Sequence, residues 1–153
     1  MILSEGDSAP IFSLKNQDDQ EVHLSSYIGK KALVIYFYPK NFTPGCVAEA
    51  CSFRDHFEEF TDIGAMVIGI STDSVSSHAR FAKKYELPFT MLSDKGGKIK
   101  KMYGIQGNFM GLIPGRETFV IDKKGVIRMR FNNMMASKHI SEALRMVKKI
   151  CNE

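Results

Sequence analysis

The feature that most constrains the fold is an unbroken apolar segment in the first quarter of the chain. Residues Ala32–Tyr38 read Ala-Leu-Val-Ile-Tyr-Phe-Tyr and end at Pro39. A strand with one face in solvent would alternate apolar and polar residues, whereas this segment is apolar or aromatic throughout. A strand of this kind is buried on both faces, which is typical of a parallel or mixed sheet covered by helices. The segment therefore predicts the centre of an α/β fold.

Patterns on either side of this strand extend the prediction. Alternating apolar residues around the polar segment 16–20 predict an N-terminal hairpin. Further strands are predicted at 66–70, 118–121 and 126–131, and helices at 43–60, 76–85, 98–103 and 137–151. We therefore expect one domain over residues 1–153, with a mixed central sheet flanked by helices and an N-terminal β-hairpin.

The composition is that of an ordinary folded domain. Of the 153 residues, 44% are apolar and 25% are charged, which excludes a mostly disordered chain. The net charge is only +4, and no run of Lys or Arg is longer than two residues, so neither a nucleic acid nor a membrane is expected as a partner. No signal peptide or spanning segment is recognised, so we expect a cytoplasmic protein. In such a reducing compartment the pair Cys46 and Cys51 is expected to be reactive or metal-binding rather than a structural disulfide.

The segment after the apolar run places a cysteine at the start of a helix. Thr43 suits the N-cap, and Pro44 suits the first position of the helix. Gly45 then occupies the second helical position and Cys46 the third. Backbone N–H groups there lack helical partners, and the helix dipole is positive. Both effects favour a thiolate at Cys46. Gly45 has no side chain and leaves space for a small molecule beside the sulfur.

A second cysteine, Cys51, follows five residues later. On an ideal helix this spacing separates the Cα atoms by about 8.6 Å, beyond the disulfide limit of about 7 Å. A bond between Cys46 and Cys51 would therefore require the first helical turns to unwind. The spacing excludes a Cys-x-x-Cys pair, and zinc is not expected because His56 does not share a helix face with both cysteines. Two ordinary buried thiols are the alternative to a functional pair.

A longer string around Cys46 carries a family resemblance. Pro39, Thr43 and Cys46 form a Pro-x-x-x-Thr-x-x-Cys pattern, and the surrounding residues 38–55 include a Cys-x4-Cys spacing. The string resembles the active-site segment of a peroxiredoxin of the Q type, also called the bacterioferritin comigratory protein group. Val47 and Phe42 differ from that group, where Thr and a polar residue are common. The resemblance covers nearly the whole chain and implies a thioredoxin-like fold.

The resemblance implies a thiol-dependent peroxidase that reduces hydrogen peroxide and organic hydroperoxides. It makes Cys46 the peroxidatic cysteine and Cys51 the resolving cysteine, which closes an intramolecular disulfide. The other implied site residues are Pro39, which shields the pocket, and the substrate-binding residues Thr43, Gly45 and Arg116. Thioredoxin or a similar dithiol would reduce the disulfide, and no metal or other cofactor is implied. We expect a monomer, with a dimer as the alternative.

Some residues have two interpretations. Glu49 is a candidate for the hydrogen-bonding shell around the site, and a plain exposed carboxylate is the alternative. Cys151 is expected to be an incidental thiol rather than a second resolving cysteine. Surface or local packing is expected for His23, His56, His78 and His139, and an apolar collar beside the pocket for Phe42, Phe109, Met110 and Leu112.

Two other functions stay open at this point. A redox sensor needs only an oxidisable cysteine, and the presence of both Thr43 and Arg116 favours the enzyme over it. A general thiol–disulfide oxidoreductase is disfavoured because the chain has no Cys-x-x-Cys pair.

Overall fold

The computed structural model of the chain describes residues 3–105, 115–133 and 135–153. The strands are β1 (Ser13–Lys15), β2 (Glu21–His23), β3 (Ala32–Phe37), β4 (Ala65–Ser71), β5 (Thr90–Ser93), β6 (Glu117–Ile121) and β7 (Ile127–Asn132). The helices are α1 (Pro44–Asp55), α2 (Phe57–Ile63), α3 (Val75–Tyr85), α4 (Lys98–Met102) and α5 (Ala136–Cys151), with a short 3-10 helix at Leu24–Ser26. No helix within these ranges is both long enough and apolar enough to cross a membrane.

The strands form one mixed sheet in the order β2-β1-β5-β4-β3-β6-β7. In its centre, β3 runs parallel to β4 and antiparallel to β6, while β1 and β2 form the N-terminal hairpin. The predicted fold class is therefore confirmed. The pairing of Phe37 with Glu117 brings the start of β6 to the end of β3, beside the first turn of α1.

The two faces of β3 contact two separate hydrophobic cores, because successive side chains of a strand point to opposite faces. Val34 and Tyr36 belong to the core that includes side chains from α1, α2, α3 and α5. Leu33, Ile35 and Phe37 belong to the core shared with the N-terminal segment and α4. Every residue of β3 is at most 2% exposed, which accounts for the continuous apolar sequence.

The predicted helix 43–60 is divided into α1 and α2 at His56, which lies outside the helical region with φ −106° and ψ 8°. The His56 backbone N–H and ring Nδ1 both lie within hydrogen-bond distance of the Ser52 carbonyl, at 3.2 Å and 2.9 Å. A side chain that occupies a terminal carbonyl helps to end a helix. Apolar spacing continues across the break, which is why the sequence predicted one helix.

Strand β5 is missing from the sequence prediction. It has only four residues, and their burial does not alternate between the two faces. It pairs with β4 on one side and with β1 on the other, so tertiary packing rather than local periodicity determines it.

The Phe53 side chain joins α1 to the sheet. It is fully buried and stacks on Tyr36, with ring centroids 4.5 Å apart. We expect Phe53→Ala to lower the free energy of unfolding by about 3–5 kcal/mol, because it leaves a cavity in the core. Urea denaturation measures this change. The control is Ile11→Ala, at a position 63% exposed, where the change should stay within about 0.5 kcal/mol. Equal effects of the two substitutions would contradict the assigned role of Phe53.

Candidate active site

The loop between β3 and α1 sets the position of Cys46. Phe42 has a positive φ of 67°, an uncommon conformation for a bulky residue, and the chain then turns into Thr43 at the N-cap, with φ −83° and ψ 148°. Pro44 occupies the first helical position. Cys46 consequently lies in the first turn of α1, on its buried side, with 2% of its surface exposed. The N–H groups of this first turn lack helical partners, and the positive end of the helix dipole lies at the same turn.

The Thr43 hydroxyl does not cap the helix, contrary to the sequence prediction. It donates instead to the backbone carbonyl of Lys40, at 2.8 Å. A hydroxyl carries one proton, so this bond leaves the Thr43 oxygen able only to accept.

Arg116 comes from a distant part of the sequence, immediately before β6. Its Nη2 group lies 3.4 Å from the Cys46 sulfur across a separation of 70 residues, and its Nη1 group donates to Glu49. The side chain is almost completely buried. Burial alone would lower the pKa of Arg116, but the nearby Glu49 and Cys46 raise the pKa above its usual value, which keeps the guanidinium charged.

Glu49 lies one turn after Cys46 and is fully buried, so the exposed alternative is wrong for this residue. Burial raises the pKa of its carboxyl group to about 7, although Arg116 acts in the opposite direction. The fully buried His139 lies beside it, with Nδ1 3.8 Å from the second carboxyl oxygen of Glu49. Sequence reasoning missed this neighbour, because no spacing connects a histidine in the last helix with Glu49.

Gly45 is exposed at the mouth of the site. A Cβ atom built on Gly45 would lie 3.0 Å from Nη2 of Arg116, so a larger residue would crowd the guanidinium. Pro39 is half-buried and shares the wall of a small recess with Gly115, the residue before Arg116. Gly45, Cys46 and Arg116 therefore lie together at the start of α1, while Pro39 and Thr43 belong to the segment that leads into it.

The other two cysteines are not bonded to Cys46. Cys46, Cys51 and Cys151 are all free thiols. Cys51 is half-buried within the same unbroken helix as Cys46, and Cys151 is half-buried at the end of α5, packed against the core. Because α1 is regular from Pro44 to Asp55, a disulfide between Cys46 and Cys51 requires part of this helix to unwind.

The apolar collar is described only in part. Phe42 is 43% exposed, packs edge-on against Phe81 with ring centroids 5.2 Å apart and lies beneath the Lys84 ammonium at 5.9 Å. Phe109, Met110 and Leu112 lie outside the described residues. Within the described residues, no group of three His, Cys, Asp or Glu side chains is arranged to hold a metal ion.

Comparison with known proteins identifies the family of the chain. Residues 5–130 match the AhpC/TSA family. The chain is 48% identical over 149 residues to the chloroplastic peroxiredoxin Q of Populus jackii, covering 97% of this chain and 70% of that protein. The chain belongs to the peroxiredoxin family, in its Q group. It is therefore a thiol peroxidase, as the sequence resemblance implied.

Solved structures agree with this assignment. The crystal structure of peroxidoxin BcpB from Mycobacterium tuberculosis matches with a TM-score of 0.89 at 34% identity, covering 97% of this chain and 98% of that one. A structure of Xanthomonas campestris peroxiredoxin Q matches with a TM-score of 0.84 at 29% identity, covering 92% and 91% of the two chains. The thioredoxin-like peroxiredoxin fold is thus confirmed.

One expectation from the sequence is wrong. A cytoplasmic location was predicted, but the similar peroxiredoxin Q proteins of Populus jackii, Sedum lineare, Triticum aestivum and Arabidopsis thaliana are chloroplastic. Low net charge and few cysteines are compatible with any reducing compartment, and the composition therefore could not separate these locations.

The space above Gly45 provides a test of the site geometry. We expect Gly45→Ala to lower the rate constant for peroxide reduction by about tenfold to a hundredfold, because the new methyl group displaces Arg116 from the sulfur. The variant should still be folded, since alanine is a better helix former than glycine. Stopped-flow oxidation and thermal unfolding measure the two quantities. The control is Ala48→Ser at an exposed position of the same helix, and equal rates for all three proteins would contradict the proposed geometry.

Proposed function

We propose that this peroxiredoxin reduces hydrogen peroxide and organic hydroperoxides at Cys46, forms an intramolecular disulfide with Cys51 and is recycled by thioredoxin or a similar dithiol. The observation that carries the proposal is the contact of 3.4 Å between the Arg116 guanidinium and the Cys46 sulfur. A buried cation at this distance stabilises a thiolate, the nucleophilic form of cysteine. We assign the whole cycle to one domain over residues 1–153.

In the first step, the Cys46 thiolate attacks the terminal oxygen of the hydroperoxide. The S–O bond forms as the O–O bond breaks, and the leaving oxygen takes a proton to become water or an alcohol. Negative charge passes from the sulfur to the leaving oxygen during this step. Nη2 of Arg116 lies 3.4 Å from the sulfur, and the positive end of the α1 dipole lies at the same turn. Both stabilise the negative charge as it moves from the sulfur to the leaving oxygen. The Thr43 oxygen orients the peroxide by accepting its O–H group.

In the second step, the Cys51 thiol attacks the sulfur of the Cys46 sulfenic acid. A disulfide forms and water leaves. Since α1 holds the two cysteines apart, its first turns unwind and Cys46 leaves its buried position. The left-handed conformation of Phe42 stores about 1–3 kcal/mol at the base of this segment, and its release assists the unwinding.

In the third step, a dithiol reductant returns the disulfide to two thiols and is itself oxidised to a disulfide. Thioredoxin is the reductant that the family resemblance implies. The net charge of +4 is modest, so the proposed cycle includes neither a nucleic acid nor a membrane as a partner. We propose a monomer, because the disulfide forms within one chain, and a dimer is the alternative.

The Cys51 variant separates the first step from the later ones. With peroxide, thioredoxin and its reductase, we expect Cys46→Ser to abolish turnover because it removes the nucleophile. Cys51→Ser should consume about one equivalent of peroxide per chain and then stall, because the sulfenic acid has no resolving partner. Cys151→Ser is the matched control and should cycle like the wild type. Peroxide consumption and mass spectrometry of the cysteine peptides measure these outcomes.

Two results would contradict the proposal. Undiminished turnover in Cys46→Ser would exclude Cys46 as the nucleophile, and normal cycling in Cys51→Ser would exclude Cys51 as the resolving cysteine. A rate constant for Cys46 oxidation close to that of a free thiol would favour a redox sensor, which has no need of the buried ion pair between Arg116 and Glu49.

A further inference from the structure

A second set of buried polar contacts lies beside the active site, where the segment between β3 and α1 meets α3. Asn41 is only 3% exposed, although asparagine side chains are mostly found at the surface. It directly precedes Phe42 and Thr43, so it lies at the start of the segment that leads to Cys46. A buried amide needs partners for its oxygen and for both protons of its NH₂ group.

The ring of His78 determines the orientation of the Asn41 amide. Nε2 of His78 lies 3.0 Å from the backbone carbonyl of Leu92, and because a carbonyl only accepts, Nε2 carries the proton. Burial lowers the pKa of His78, so the ring is neutral and its Nδ1 atom accepts. The donor to Nδ1 is Nδ2 of Asn41, at 3.0 Å. The other proton of Nδ2 is directed at the Ser77 hydroxyl oxygen, at 3.1 Å.

The side-chain oxygen and the backbone N–H group of Asn41 also have partners. The oxygen accepts from the Tyr38 hydroxyl at 2.6 Å, and the N–H group donates to the Asp73 carboxylate at 2.9 Å. The same carboxylate oxygen accepts from the Ser71 hydroxyl at 2.6 Å, at the end of β4. Asn41 is therefore bonded to the residue after β3, to the segment after β4 and to α3.

These bonds fix one end of the segment that carries the nucleophile. Phe42 packs against Phe81 of α3, which adds a second contact with the same helix. At the other end, Phe53 is fully buried against the sheet. The first turn of α1 lies between these two fixed points. The position of the Cys46 sulfur beside Arg116 consequently depends on both of them.

The backbone between Asn41 and the helix indicates where unwinding of α1 would stop. The first hydrogen bond of α1 runs from the Val47 N–H to the Thr43 carbonyl, at 2.9 Å, and opening of the first turn breaks it. The Asn41 N–H is bonded to a carboxylate outside the helix, so the same opening leaves that bond intact. The left-handed residue Phe42, with φ 67°, lies between the two bonds.

We propose that Asn41 is a positioning residue of this peroxidase. In the reduced enzyme, its bonds to α3 and to the segment after β4 hold Cys46 beside Arg116. When Cys46 and Cys51 form their disulfide, Asn41 stays in place and is the N-terminal limit of the segment that unwinds. The inference rests on the proposed function of the two cysteines, and it adds a residue that acts through the position of Cys46.

Two substitutions of Asn41 test the position of Cys46 in the reduced enzyme. Asn41→Ala should lower the rate constant for single-turnover oxidation by hydrogen peroxide about tenfold, because the sulfur is no longer held beside Arg116. Asn41→Asp keeps the size of the side chain and its acceptor but loses both side-chain donors, so it should be similarly slow. The matched control is Leu24→Ala in the other core, which should lower the unfolding temperature and leave the rate constant unchanged.

Either of two results with these variants would overturn the proposal. A rate constant of Asn41→Asp equal to that of the wild type would show that only the shape of the side chain matters. A rate constant lowered as much in Leu24→Ala would show that the loss of overall stability, rather than the hydrogen bonds of Asn41, slows the reaction.

A pair of substitutions in α3 tests the same role without changing Asn41 itself. Ser77→Ala removes one acceptor of the Asn41 NH₂ group and should lower the oxidation rate constant about threefold, the effect of one hydrogen bond between neutral groups. Ser77→Thr keeps the hydroxyl and should restore the rate constant of the wild type. An unchanged rate constant in Ser77→Ala, or one equally low in both variants, would contradict the proposal.

Amide hydrogen exchange tests the limit of the unwinding. In the disulfide form, the Val47 amide should exchange fast because its bond to Thr43 is broken. The Asn41 amide should exchange as slowly in the disulfide form as in the dithiol form. A fast Asn41 amide in the disulfide form of the wild type would show that the unwinding passes this residue, and it would overturn the assigned limit.

The same measurement separates this inference from the proposed function. A chain that does not react with peroxide would refute the proposed function. The dithiol form would still test the role of Asn41, because the Val47 amide should exchange faster in Asn41→Ala than in the wild type. Equal exchange of the Val47 amide in these two proteins would overturn the inference.

Discussion

The Arg116 guanidinium contacts both the Cys46 sulfur and the Glu49 carboxyl group, and the chemistry of the site depends on these two contacts. A buried cation is costly unless it is paired, and an unpaired buried thiolate is equally costly. The fold brings them together by pairing β6 against β3, which places the residue before β6 next to the helix that follows β3. The sheet therefore determines which charge lies beside the cysteine, and Arg116 divides its contacts between the Cys46 sulfur and Glu49.

The proposed cycle places two incompatible requirements on the same helix. In that cycle, attack on peroxide needs an intact first turn of α1, because that turn keeps the sulfur beside Arg116. Resolution by Cys51 needs the turn to open, because the intact helix holds the two cysteines apart. Oxidation of Cys46 removes the negative charge that Arg116 stabilises. Arg116 therefore holds the sulfenic acid in the pocket less strongly than it holds the thiolate. The chemistry of the first step thus prepares the conformational change of the second.

The parts of the fold that could be predicted from sequence are those encoded locally. The apolar run of β3 and the Thr43-Pro44 helix start each carry their own signal, and the central strand and the position of Cys46 follow from them. Arg116 carries no local signal and was assigned through the family resemblance. The burial of Glu49, its contact with His139, the strand β5 and the helix break at His56 depend on tertiary contacts, which neither periodicity nor spacing records.

The central claim is that Arg116 holds Cys46 as a thiolate, and the ultraviolet absorbance of the thiolate tests it most directly. The measurement compares the wild type with Arg116→Met and Cys46→Ser at neutral pH, with Cys51→Ser and Cys151→Ser as controls. The account predicts one thiolate in the wild type and in both controls, none in Cys46→Ser and a strongly reduced fraction in Arg116→Met. A wild-type Cys46 that is protonated at neutral pH, or a thiolate fraction unchanged in Arg116→Met, would contradict it.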